Sequence, residues 1–122
     1  MTVIPNFILK RLYCKGSLRK LEGGLGFDIV NNLGPGMISK LNYIKLNEHT
    51  FPPEQVALEI DGKLLPADQI TEDNPAAFFL NQVITCRLAS ADLPPGKYQI
   101  HLDIISKEAG KVSLTVEDEL PA

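Results

Sequence analysis

The chain has no tryptophan, and of its 122 residues only two are cysteine, two histidine and two methionine. The lack of tryptophan and the scarcity of cysteine and histidine weigh against particular classes of function. Without tryptophan the strongest stacking platform for a sugar ring is missing. A zinc site takes three or four close ligands, and Cys14, Cys86, His49 and His101 are scattered along the chain. Ser17, Ser39, Ser90, Ser106 and Ser113 lie in no Gly-x-Ser-x-Gly elbow, and a serine triad also needs a positioned histidine. The glycine-rich Glu22-Gly23-Gly24-Leu25-Gly26 has no following lysine and hydroxyl residue. It therefore reads as a hairpin turn rather than a phosphate loop. No cofactor or metal is expected.

Excess positive charge is also missing. The net charge is −3 at pH 7 and the sequence pI is about 5.3, so the footprint of a nucleic-acid binder is absent. The basic run Lys10, Arg11, Lys15, Arg19, Lys20 is broken by apolar residues and reads as the solvent side of a strand pair. The longest unbroken apolar run, Ala76 to Leu80, is far too short to span a bilayer. Met1 to Leu9 lacks the basic start and long apolar stretch of a secretory signal. There is no Asn-x-Ser/Thr sequon. The expectation is a cytoplasmic protein with two free thiols behaving as small hydrophobes.

What is present is an ordinary globular composition, 44% apolar and 22% charged, arranged with a period of two. Tyr98, Ile100, Leu102 and Ile104 alternate with Gln99, His101 and Asp103. Val112, Leu114 and Val116 alternate with Ser113, Thr115 and Glu117. Ile84, Cys86 and Leu88 precede the turn chemistry of Leu93-Pro94-Pro95-Gly96, so these runs form an antiparallel meander. Leu25, Phe27 and Ile29 alternate likewise, as do Val56, Leu58 and Ile60 before the hairpin dipeptide Asp61-Gly62. Lys63-Leu64-Leu65 is its short return strand. Ile38 to Asn47 is a longer strand whose apolar parity changes between Leu41, Tyr43 and Ile44, Leu46. A β-bulge produces such a switch, and so does burial on both faces. Phe7 to Cys14 is a further candidate strand. The one candidate helix is Thr71 to Asn81, with Pro75 early in it; alternatively Phe78 to Leu80 lead straight into the strand at Gln82. The fold class is all-β: one domain over residues 1–122, an antiparallel β-sandwich of about seven to nine strands.

Candidate site residues follow from the faces. Gln99, His101 and Asp103 project from one side of one strand and either bind a metal or polar ligand or form a solvated outer face. Tyr43 and Asn32, with the Asn31 amide and the Gly34-Pro35-Gly36 loop, are the candidates for a small polar ligand or sugar. Phe51-Pro52-Pro53-Glu54 is either an extended docking strip or an ordered loop.

The N-terminal motifs Lys15-Gly16-Ser17-Leu18-Arg19-Lys20 and Gly24-Leu25-Gly26-Phe27-Asp28-Ile29 resemble the opening of C-glycoside deglycosidase beta subunits and their small relatives. The proline-containing link Phe51 to Val56 and the strand end Ile60-Asp61-Gly62 extend the likeness over the first half. The chain departs from that family at Asn32-Leu33-Gly34-Pro35-Gly36-Met37, where an aromatic and arginine-rich segment is usual. The resemblance implies a β-sandwich subunit beside a larger barrel-type alpha subunit that holds the metal and the acid/base residues. It carries no catalytic residue onto this chain. The expected function is a non-catalytic accessory or interaction subunit, with a protein partner or a homo-oligomer and neither nucleic acid nor membrane. The alternatives are a stand-alone small-ligand or carbohydrate-binding module, and an enzyme using His101 and Asp103.

Overall fold

Alternating apolar residues lay down strands, and the turn residues between them decide which strands pair. The computed structural model describes residues 5–89 and 91–122; Ser90 lies outside them. Ten strands form: β1 (Arg19–Leu21), β2 (Gly24–Val30), β3 (Gly36–Leu46), β4 (His49–Phe51), β5 (Val56–Ile60), β6 (Lys63–Pro66), β7 (Ala76–Phe78), β8 (Val83–Ala89), β9 (Gly96–Ser106) and β10 (Gly110–Leu120). One sheet has the order β1-β2-β8-β5-β6. The other runs β10-β9-β3, and both β4 and β7 pair with the free side of β3, one at each end. All pairings are antiparallel. At Asp61-Gly62 both residues have positive φ (51° and 80°), the backbone a two-residue hairpin turn requires.

The sheets bury one core between them. Phe27, Ile84, Cys86, Ile44, Leu46 and Ile100 are wholly buried in it. Both cysteines are free, Cys86 buried and Cys14 partly so. Burial pushes both thiols above their ordinary range, with the nearby Asp28 charge adding to it.

The parity switch in β3 comes from bulges. Ile38 faces Ser106 but Lys40 faces Ile105, so Ser39 is one extra residue; Leu41 faces Ile104 but Tyr43 faces Asp103, so Asn42 is a second. The Ser39 hydroxyl donates to the Ile105 carbonyl at 3.2 Å, and the Asn42 amide to the Asp103 carboxylate at 2.7 Å. The second bulge turns Tyr43 onto the outer face while Leu41 and Ile44 stay in the core.

Four expectations are corrected. The runs at Ile84, Tyr98 and Val112 are not one meander: β8 pairs with β2 and β5 in the first sheet, while β9 and β10 pair in the second, so the Pro94-Pro95-Gly96 turn carries the chain from one sheet to the other. Phe7 to Cys14 is not a strand. Asn6–Leu9 is a helical turn, α1, continued by a 3₁₀ turn at Lys10–Leu12. Pro5 starts it, and Leu9 and Leu12 lie three apart on the buried side while Phe7 is exposed; that is helical spacing. Thr71 to Asn81 is not a helix. Thr71 and Asn74 close a turn through mutual backbone hydrogen bonds of 3.2 and 3.1 Å, and β7 follows. Pro75 disfavours helical backbone at Asn74. The basic run is not one strand face, because Lys10 and Arg11 sit on the 3₁₀ turn and only Arg19 and Lys20 are on β1.

The N-terminal segment lies along the outer edge of β10. The Thr115 N–H donates to Asn6 Oδ1 at 3.1 Å, and Lys15 Nζ donates to the Glu117 carbonyl at 2.8 Å. Side chains thereby occupy backbone groups that an edge strand otherwise offers to another chain.

Gly26 on β2 has no room for a side chain. A Cβ there would overlap the end of the Leu21 side chain and stand 3.0 Å from the Cys86 carbonyl oxygen. Leu21 can swing away, but the carbonyl belongs to the β2–β8 ladder. Gly26→Ala is expected to lower the unfolding free energy by about 1–2 kcal/mol, read as a lower urea midpoint at unchanged m-value.

Candidate functional site

Two features of the surface stand apart from ordinary solvated structure. The first is on the outer face of the second sheet, where β3, β9 and β10 run side by side. In that register Lys45 pairs with His101 and Tyr43 with Asp103, while across the next seam His101 faces Thr115 and Asp103 faces Ser113. The Tyr43 and His101 rings stack at a centroid distance of 5.7 Å and an interplanar angle of 22°. His101 Nδ1 lies 2.7 Å from the Thr115 hydroxyl. Asn47 closes the end of the face: its N–H donates to the Gln99 carbonyl and its Oδ1 accepts the Gln99 N–H, both at 2.9 Å. These residues enclose a shallow depression of about 230 Å³ lined by Tyr43, Lys45, Asn47, Gln99, His101 and Thr115.

Of the residues the sequence pointed to, Tyr43, Gln99 and His101 therefore meet. Asp103 is beside them but committed elsewhere. Its buried carboxylate accepts from the Asn42 amide at 2.7 Å and the Ser113 hydroxyl at 2.9 Å, with the Lys111 ammonium 3.9 Å away. Asn32 is not part of the group; it sits on the β2–β3 loop and its amide donates to the Arg11 carbonyl. Among the described residues no group of three or more His, Cys, Asp or Glu is arranged to hold a metal ion.

The second feature is an apolar cleft of about 210 Å³. It lies where the N-terminal turns, the β2–β3 loop, β7 and the β9–β10 hairpin meet. Leu9, Leu12, Ile38, Phe78, Ile104 and Val112 line it, with Leu33 and Met37 at the lip. Asn31 builds it. Its buried side-chain amide donates to the carbonyls of Gly34 and Phe78, and its Oδ1 accepts the N–H groups of Leu33 and Gly34 at 3.2 Å. The Asn31 main chain also bonds Gln82 and Asn81, tying down the turn that follows β7. That turn exposes Phe79 and Leu80, 59% and 52% accessible. Glu108 is the one charged lining residue. The Met37 N–H donates to it and holds its carboxyl below the usual range, outweighing a small opposing effect of burial.

Asp118 is the other buried hub. Its carboxylate accepts from the Tyr13 hydroxyl at 2.5 Å and from the N–H groups of Gly16, Leu18 and Glu119. Burial raises its pKa, but the hydrogen bonds from Tyr13, Glu119, Leu18 and Gly16 together outweigh burial and hold it below the usual carboxylate range. Burial and the neighbouring carboxylate push the Tyr13 phenol far above its ordinary value. Neither Asn31 nor Asp118 was identified as a buried hub from sequence, yet both carry a visible signal. Asn31 continues the inward parity of Phe27 and Ile29, and Asp118 stands between Val116 and Leu120. A polar residue in an apolar alternation marks a satisfied buried group.

Comparison with known proteins overturns the family resemblance drawn from the N-terminal motifs. Two of the motifs that carried it are turn chemistry, Lys15-Gly16 and Asp61-Gly62, and a third, Gly24 to Ile29, is an ordinary alternating strand within β2. Such dipeptides recur wherever strands must be joined and do not report descent. No curated protein matches the chain. A family profile described as Hydroxymethylglutaryl-CoA reductase, N-terminal domain, matches residues 8–121. It spans all ten strands, so the chain belongs to the family of hydroxymethylglutaryl-CoA reductase N-terminal domains.

Proposed function

We propose that this chain is a non-catalytic accessory domain that docks, through the apolar cleft, onto the catalytic part of a hydroxymethylglutaryl-CoA reductase. The catalytic part belongs either to the same polypeptide or to a separate chain. The observation that carries the reading is the cleft with its exposed lip. Leu33, Met37, Phe79 and Leu80 keep large apolar surface in water beside a preformed hollow, and exposed apolar surface next to a hollow is what a protein partner covers. The family description supports the identity of the partner, since it names the N-terminal domain of hydroxymethylglutaryl-CoA reductase. The sugar-active partner rested on the overturned resemblance alone and has no further support.

The test is the mass of the native assembly, purified gently from its own host. A stoichiometric association with hydroxymethylglutaryl-CoA reductase activity is expected. Phe79→Asp with Leu80→Asp is expected to weaken it by about ten- to a hundred-fold. Both side chains face solvent, so the unfolding free energy should move by no more than about 0.5 kcal/mol. A chain that is monomeric and free of reductase activity at near-native concentration overturns the reading.

A further inference from the structure

We infer that the depression on the outer face of β3, β9 and β10 is a binding site for a small oxyanion, a carboxylate or phosphate group on a soluble metabolite. It is separate from the cleft and does not depend on the docking reading. The lining is rich in donors and has one formal charge, the Lys45 ammonium. The Asn47 and Gln99 amides, the Tyr43 hydroxyl and the His101 ring add neutral donors around it. No carboxylate lines it. Two acids neighbour it: Asp103 has both oxygens engaged by Asn42 and Ser113 and its charge offset by Lys111, and the exposed Glu117 faces Gln99 in register but stands outside the lining. A cation therefore meets no carboxylate in the lining itself, whereas an anion meets Lys45 directly.

The site is also held in shape. The bulge at Asn42 turns Tyr43 out of the core and onto His101, and bulges commonly re-aim side chains beside binding sites. The Thr115 hydroxyl engages His101 Nδ1, while Nε2 has no hydrogen-bond partner among the described residues. When the hydroxyl donates, Nε2 carries the ring proton and becomes a donor. Thr115 is itself fixed by Asn6. Tyr43 orients His101 from one side and Thr115 from the other, so the ring is a preorganised donor rather than a free surface histidine.

Amide NMR titration of the full chain tests this, using methyl phosphate in one arm and succinate in the other. Saturating shifts are expected at Tyr43, Lys45, Asn47, Gln99, His101 and Thr115. The arm that saturates at lower concentration identifies the oxyanion. Lys45→Gln should weaken binding about ten-fold, Lys45→Arg should retain it, and Thr115→Val should weaken it with the amide spectrum otherwise preserved. If neither arm saturates, if shifts spread over lysines elsewhere, or if Lys45→Gln binds as tightly, the proposal is overturned.

Discussion

Asp118→Ala is expected to cost about 3 kcal/mol of unfolding free energy, enough to shift the thermal midpoint of a chain this size by roughly 10–20 °C. The change deletes an acceptor, and the damage lies in the donors it abandons. The Leu18 N–H is buried and has no other hydrogen-bond partner among the described residues, and the buried Tyr13 hydroxyl is left with the Ser17 side chain alone. A stranded donor keeps its desolvation penalty without its bond. Asp118→Asn keeps one acceptor oxygen but puts an amide N–H₂ among groups that themselves donate, so about 1–2 kcal/mol of loss is expected.

The same residue shapes acid stability. Its folded-state pKa is held low, so the unfolded chain binds the proton more readily. Its contribution is complete above the unfolded-state value, about 3.9, and is lost as pH falls through the lower folded value. Equilibrium unfolding measured from pH 6 down to pH 2 should show the wild type losing stability faster than Asp118→Asn below about pH 4. Parallel curves for the two proteins would mean that Asp118 is not the group responsible.

Asn31→Ala carries the second large effect, about 2–4 kcal/mol. The side chain is buried and uses both ends, the amide on Gly34 and Phe78 and the oxygen on Leu33 and Gly34. Alanine leaves two carbonyls and two N–H groups to find water at the lip of the cleft. The effect should be local as well as global. Hydrogen exchange is expected to accelerate in the β2–β3 loop, in β7 and in the Phe79–Gln82 turn well before it does in β9. Uniform acceleration throughout would show that the loop, β7 and the core open as one unit. Asn31→Asp is a useful companion: the oxygen contacts survive, but a carboxylate now faces two carbonyls, so it should be no better tolerated than alanine.

The strands β8, β9 and β10 were legible because their signal is local, but their assembly was not: β8 inserts between β2 and β5 in the first sheet, and only β9 and β10 form a hairpin. Tyr98 to Ile104 alternate without interruption and the flanking Pro94-Pro95-Gly96 stops the strand, so nothing distant is needed to read it. The parity switch at Leu41 to Ile44 was legible for the same reason, and it is a bulge. Alternation on β9 also put Gln99 and His101 on one face, and β3 brings Tyr43 to them. What was not legible depends on separation. Phe7 to Cys14 has strand-like composition, and only the contact of Leu9 and Leu12 with a distant surface selects the helical turns. Asn32 has the right chemistry for a polar site, but the loop that carries it is far in register from His101. The cleft draws on segments from Leu9 to Val112, and no window of sequence contains it.

The Tyr13–Asp118 bond closes a span of 105 residues, and the Asn6–Thr115 bond one of 109. During synthesis the N-terminal turns leave the ribosome first, while the strand that holds them, β10, is translated after every other strand. The 3₁₀ turn can meet β2 early, through the Asn32–Arg11 bond and the Tyr13–Ile29 bridge, but the contacts of Asn6 and Tyr13 with β10 form only when the β9–β10 hairpin zips up. Non-local closure of this kind slows folding and prolongs the life of a partly assembled intermediate. In a nascent chain that stops before Gly110, residues 5–12 should be cut faster by protease than in one that includes β10.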